Sequence, residues 1–279
     1  MAKPVIKAKA QTIQEIRRLR QKAEEQLFTL PNVIGSMVGL KMKSGKLTKK
    51  IGLTIFVSQK VPSKQLGPGE QIPARVIVSG HAVATDVFEM RPLRPQAKVF
   101  PDHPLSISDG LQTGVVSSFC RSPYGVFGLT CAHVVGGPDK DPVTPDPVEI
   151  RSAPPNPRYI QVGKTLCAFV GSGCGIPGNF GFADAALFTL DHPDLLNRAQ
   201  NAKVIKAAAP KLGEIVKGNV ASQIIITGRV HGIEAKAYGM FIDVLVKVDE
   251  PGTSKGDSGM LWKNQKGQPV AIHAYAPED

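Results

Sequence analysis

The chain has 279 residues, 42% hydrophobic and 20% charged, with four cysteines. That composition excludes an intrinsically disordered chain and a small disulfide-stapled scaffold, and at roughly 150 residues per domain it leaves room for about two. The formal net charge of +11 arises entirely in residues 1–100, which hold 18 Lys/Arg against 6 Asp/Glu. An excess of this kind fits either a patch for nucleic acid, acidic lipid or an acidic partner, or a solvated helix face followed by a lysine-rich hairpin. Aromatic side chains are not interleaved with the lysines as a single-strand binder requires, which favours the second reading. No apolar run approaches the ~18 residues of a membrane helix, and the opening MAKPVIKAKAQTIQE has lysines without a secretory core. A cytoplasmic protein with no membrane partner is therefore expected.

Thr12-Ile13-Gln14-Glu15 has the spacing of a capping box, and Ile13, Ile16, Leu19, Ala23 and Leu27 recur at steps of three and four up to Pro31. That pattern predicts an amphipathic helix. Val33 to Met42 and Ile51 to Val57 read as strands around a Lys43-Ser44-Gly45-Lys46 turn, and Arg75 to Val78 and Ala82 to Phe88 as two more. Together they predict a small basic α/β domain over residues 1–95, with Arg91-Pro92-Leu93-Arg94-Pro95 as its exit linker.

From about residue 105 short β-like runs follow at Thr113 to Phe119, Val126 to Thr130, Tyr159 to Val170, Ala185 to Leu190, Gln223 to Val230, Met240 to Val248 and Val270 to Tyr275. Many short strands argue for an all-β barrel or sandwich, so the expected class is mainly β, with a second domain over 105–279. Pro193 to Ala209 breaks the series and reads as a polar crossover between two β groups.

Cys120, Cys131, Cys167 and Cys174 are spaced by 11, 36 and 7, which fits no zinc pattern. Reduced thiols are expected, because a bridge such as Cys167 to Cys174 needs an oxidising compartment. His81, His103, His192 and His231 form no ligand constellation, so neither a metal nor a cofactor is expected.

Three segments carry chemistry. His133 follows an apolar strand in Leu129-Thr130-Cys131-Ala132-His133-Val134-Val135, and Asp184 opens another in Ala183-Asp184-Ala185-Ala186-Leu187. An acid placed there can be a turn residue or a buried carboxylate that orients an imidazole. In Gly256-Asp257-Ser258-Gly259 the flanking glycines allow a sharp turn, so that the amides of Gly256 and Ser258 can converge beside the Ser258 hydroxyl.

The order His133, Asp184, Ser258, at separations of 51 and 74 residues, resembles the trypsin/chymotrypsin-like serine proteases across about residues 110–275. Lys211 to Gly218 and Thr227-Gly228-Arg229-Val230 are similar to the opening of that family's second barrel. The resemblance implies two six-stranded β-barrels, about 105–192 and 208–279, and an intracellular serine endopeptidase acting on protein or peptide substrates. Ser258 would be the nucleophile, His133 the general base, Asp184 its orienting acid, and the Gly256 and Ser258 amides the oxyanion hole. Asp257 would make a buried contact that shapes the loop.

Gly252, with Thr253 beside it, falls at the floor of the family's specificity pocket, so no carboxylate awaits a basic side chain and an uncharged one is expected. The segment Ala271 to Ala276, including Ala274, would pair with the substrate backbone, with His273 packed beside the cleft. The family continues with a further strand and helix beyond this segment. The expectation is a fragment, or a partner that supplies the missing strand at an open edge over Val270 to Tyr275.

Leu30-Pro31-Asn32-Val33-Ile34-Gly35, Val38-Gly39-Leu40-Lys41, Leu53 to Lys60, Ile72-Pro73 and Thr85-Asp86-Val87 are similar to the leader domain of certain bacterial trypsin-like proteins and of the plant narrow-leaf proteins. The alternative from another class is a catalytically silent protease-like scaffold that binds extended peptides or, through its basic leader, nucleic acid.

Overall fold

A computed structural model describes residues 12–95, 106–108, 113–135, 147–151, 158–172, 182–219 and 224–277. Helix α1 (Ile13–Leu27) starts where its capping box predicts: Thr12 Oγ1 accepts from the Glu15 amide at 3.2 Å, and the Glu15 carboxylate accepts from the Thr12 amide at 2.7 Å. Its apolar stripe buries Ile16, Leu19, Ala23 and Leu27. Arg20 is buried with them, although a charged residue at that position reads as solvated. Its guanidinium donates to Glu24 Oε1 at 2.6 Å, to Ser36 Oγ at 2.9 Å and to the Glu234 carbonyl at 2.5 Å, which compensates the buried charge.

The sheet beneath α1 consists of β1 (Val33–Lys43), β2 (Lys46–Val57), β3 (Arg75–Val78) and β4 (His81–Glu89). The first two form the expected hairpin, with β2 beginning five residues earlier than its β-branched run because the lysines at 46, 49 and 50 lie on a half-exposed ladder. β4 lies parallel to β2 and antiparallel to β3, and residues 232–237 add to the other side of β1. These elements form one unit, residues 1–92 together with 230–246.

The second unit comprises residues 93–229 and 247–279. The region read as a linker contains a strand, β5 (Leu93–Pro95). It is followed by β6 (Ser106–Ser108), β7 (Thr113–Val115), β8 (Ser118–Ser122), β9 (Gly125–Thr130), α2 (Ala132–Val135), β10 (Pro147–Arg151), β11 (Tyr159–Ser172) and β12 (Phe182–Thr189). Strands six to twelve make an open seven-stranded sheet in the order β7-β6-β10-β11-β12-β9-β8. The run expected as one strand over Thr113 to Phe119 is therefore two, β7 and β8, which stand at the two ends of this pairing order and are joined by Val116 and Ser117.

The segment read as a polar crossover contains helix α3 (Pro193–Asn201), with proline in its first turn and Leu195 and Ala199 buried four residues apart. They close the core built from Val134, Val135, Val148, Val162, Ala186 and Phe188.

The rest of the chain gives β13 (Ile215–Asn219), β14 (Ile225–Ala237), β15 (Met240–Val248), β16 (Leu261–Asn264), β17 (Pro269–Ile272) and β18 (Tyr275–Pro277). In the second unit β17, β16, β13 and residues 225–229 pair in that order. The run read as a single open edge over Val270 to Tyr275 is thus two strands. β17 pairs with β16, while β18 pairs antiparallel with β5, placing Tyr275 opposite Pro95 and Pro277 opposite Leu93. The protein is mainly β, with open sheets. Among the described residues no helix is long and apolar enough to cross a membrane.

Candidate active site

Alternation along β12 puts Asp184, Ala186 and Phe188 on the buried face of the sheet and so turns a carboxylate inward at the strand's start. β9 pairs beside it, Thr130 opposite Ala186, and leads directly into α2. That short helix is buried throughout and carries His133 to Asp184. The imidazole Nδ1 lies 2.5 Å from Asp184 Oδ2, and the His133 amide donates to Oδ1 at 3.2 Å. On the far side of the ring, Nε2 lies 2.8 Å from Ser258 Oγ. Side chains 51 and 74 residues apart in sequence thus form one hydrogen-bonded line.

The loop bearing Ser258 is fixed from several sides. Gly256 and Gly259 take φ values of 103° and 95°, conformations open to glycine alone at little cost. A Cβ on Gly259 would also lie 2.1 Å from the Val115 carbonyl oxygen. Val115 N donates to the Ser258 carbonyl at 2.7 Å, Gly259 N to the His273 carbonyl at 2.9 Å, and Met260 N to the Asp257 carbonyl at 2.9 Å. The Asp257 side chain is buried and accepts from the Ser254 amide at 2.8 Å, so its charge tightens the loop. Among the described residues, the amides of Gly256 and Ser258 donate to no backbone carbonyl, which leaves both donors unspent.

Of the residues expected to contact substrate, Ala274 is brought against the centre: its carbonyl oxygen lies 3.3 Å from Ser258 Oγ. Gly252 sits in a turn, its amide donating to the Asp249 carbonyl at 3.0 Å, and a Cβ there would meet open space. Gly252 and Thr253 make no hydrogen bond with the three central residues among those described.

Three neighbours complete the surroundings of this centre, and sequence singled out His273 alone among them, as a residue packed beside the cleft. Cys131 Sγ donates to the His273 carbonyl at 3.3 Å, and burial, reinforced by the Asp184 charge, pushes its thiol well up. His273 is buried edge-on to Trp262; burial first, then the charge of His133, lowers it to about 4, and its Nε2 has no partner among the described residues. Tyr275 hydrogen-bonds Asp184, and its ring lies 5.8 Å from that of His133. The only signal for Tyr275 in the sequence is its place on the segment after the serine loop, since nothing in spacing couples a phenol to a carboxylate 91 residues away.

The Cys131, His133 and Asp184 donor atoms lie within 4.8 Å of one another, but in this arrangement they are engaged with each other and with His273. Cys120, Cys131 and Cys167 are free thiols, and Cys174 and His103 lie outside the described residues. His81 is exposed and bonds the Ser79 carbonyl; His192 precedes α3; His231 is buried in the first unit against the Leu40 carbonyl.

Residues 8–87 match the family model of the NARROW LEAF 1 N-terminal domain, a likeness that covers α1 through most of β4. No curated protein matches the chain.

Proposed function

We propose that the protein is a serine hydrolase of the trypsin-like kind, an endopeptidase built on that family's paired barrels. The observation that carries the reading is the 2.8 Å approach of His133 Nε2 to Ser258 Oγ, with Asp184 on the other ring nitrogen. In this reading Ser258 Oγ attacks the scissile carbonyl carbon as His133 Nε2 takes its proton. Asp184 holds the imidazole in the tautomer with hydrogen on Nδ1 and stabilises its cation. The unspent amides of Gly256 and Ser258 receive the developing oxyanion, a contribution of about 3 kcal/mol per donor in comparable sites. Collapse of the tetrahedral adduct passes the proton to the leaving amine. Water then repeats the sequence on the acyl-enzyme and restores Ser258.

A fluorophosphonate probe tests this directly. Intact protein should be labelled at Ser258, identified by peptide mass, and labelling should fall at least about a thousandfold in Ser258→Ala and His133→Ala. Folded protein that resists the probe would instead be a peptide-binding scaffold.

A further inference from the structure

We propose that Tyr275 is a positioning residue for this centre, its hydroxyl donating to the Asp184 carboxylate while its ring braces the His133 imidazole; the inference rests on the hydrolase reading. His133 reaches Asp184 twice, through its backbone amide and through Nδ1, so both of these hydrogen bonds come from a single residue. A carboxylate has about four lone-pair positions, so these two donors alone leave it free to pivot about the line joining them. Tyr275 supplies a third donor from a different element. Its ring is tilted 48° to the imidazole at 5.8 Å, so one side chain restrains both acid and base.

β18 is itself held in place by its ladder with β5, Tyr275 lying opposite Pro95. Burial, then the Asp184 charge, raises the phenol well above its ordinary range, so the donor stays protonated at neutral pH. The other ionisable groups around His133 are Asp184 of β12, Cys131 ahead of α2 and His273 after β17. Burial keeps Cys131 and His273 uncharged near neutral pH, leaving the Asp184 carboxylate as the charge against which the His133 ring is held.

The sign follows from the donor's chemistry. A hydroxyl bonded to Asp184 draws charge from the carboxylate, so its loss leaves a stronger acceptor for the proton on His133 Nδ1. In full-length Tyr275→Phe, which keeps the ring, the His133 Nδ1 proton observed by NMR should move downfield. His133→Ala identifies the resonance. An unmoved Nδ1 proton in folded Tyr275→Phe overturns the proposal.

If that variant does not fold, Asp184→Asn carries the test through the carbon-13 signal of the Tyr275 phenol. Its titration should move down once the carboxylate is gone, and an unmoved phenol overturns the proposal equally. Neither readout needs turnover. Failure of the probe to label Ser258 would therefore sink the hydrolase reading without being mistaken for failure of the role given to Tyr275.

Discussion

His273 combines a fully engaged backbone with a ring buried against Trp262, and the two carry different consequences. The backbone clamps the serine loop at any pH. The ring stays neutral in the fold down to about 4, whereas in the unfolded chain it takes a proton near its ordinary 6.5. Between those values the unfolded state binds the extra proton, so this contribution is complete above about 6.5, declines as pH falls and is gone near 4. The difference amounts to roughly 3 kcal/mol. Urea unfolding at pH 7 and pH 4.5 should show a loss in the wild type that is much smaller in His273→Phe, which keeps an aromatic ring beside Trp262. Equal losses in the two proteins would remove His273 as the cause. At this scale the sequence is legible where chemistry and backbone constraint coincide. Gly256 to Gly259 announces a turn that only glycine permits, whereas Tyr275 belongs to the same centre through side-chain reach across two strands, which leaves no local trace.

Helix α1 shows what an element reveals and conceals. Its boundaries follow from Thr12, Glu15 and the apolar stripe because those signals act within one turn of each other. Arg20 escapes such a reading, since its burial depends on Ser36 and on the carbonyl of Glu234, more than two hundred residues away. Removing the guanidinium leaves Glu24 and Ser36 to face a half-dry pocket, so Arg20→Met should destabilise the first unit by about 3 kcal/mol. Arg20→Lys should recover little of it, because an ammonium cannot address three acceptors in the same planar fork. Chemical denaturation of the three proteins measures both differences. α3 is the converse case. Nine residues with two buried side chains give too short a period to read, and burial of Leu195 and Ala199 is decided by the sheet they cover.

For the molecule as a whole, its mainly β character was legible from the repeated short runs and their turn residues, whereas the joining of residues 230–246 to the first unit was not. What local pattern could not provide is long-range pairing, above all that of β5 with β18. Those three-residue strands are 182 positions apart at Leu93 and Tyr275, and their sequences read as a connector and as the end of a substrate-pairing edge. Full-length protein in which glycines replace Leu93, Arg94 and Pro95 would weaken the ladder that holds β18, and it should be labelled by the fluorophosphonate probe at least about tenfold more slowly than the wild type. Equal rates would show that Tyr275 holds its place unaided.

The same ladder fixes how the second unit answers mechanical load. Strands β5 and β18 run antiparallel, with Leu93 beside Pro277, so tension drawn through those two residues peels the hydrogen bonds apart one after another instead of shearing them together. The rupture would travel inward from Leu93 and Pro277 and reach Tyr275 last. Tension on those two residues thus reaches the neighbour of Asp184 and His133 only after the rest of the ladder has parted.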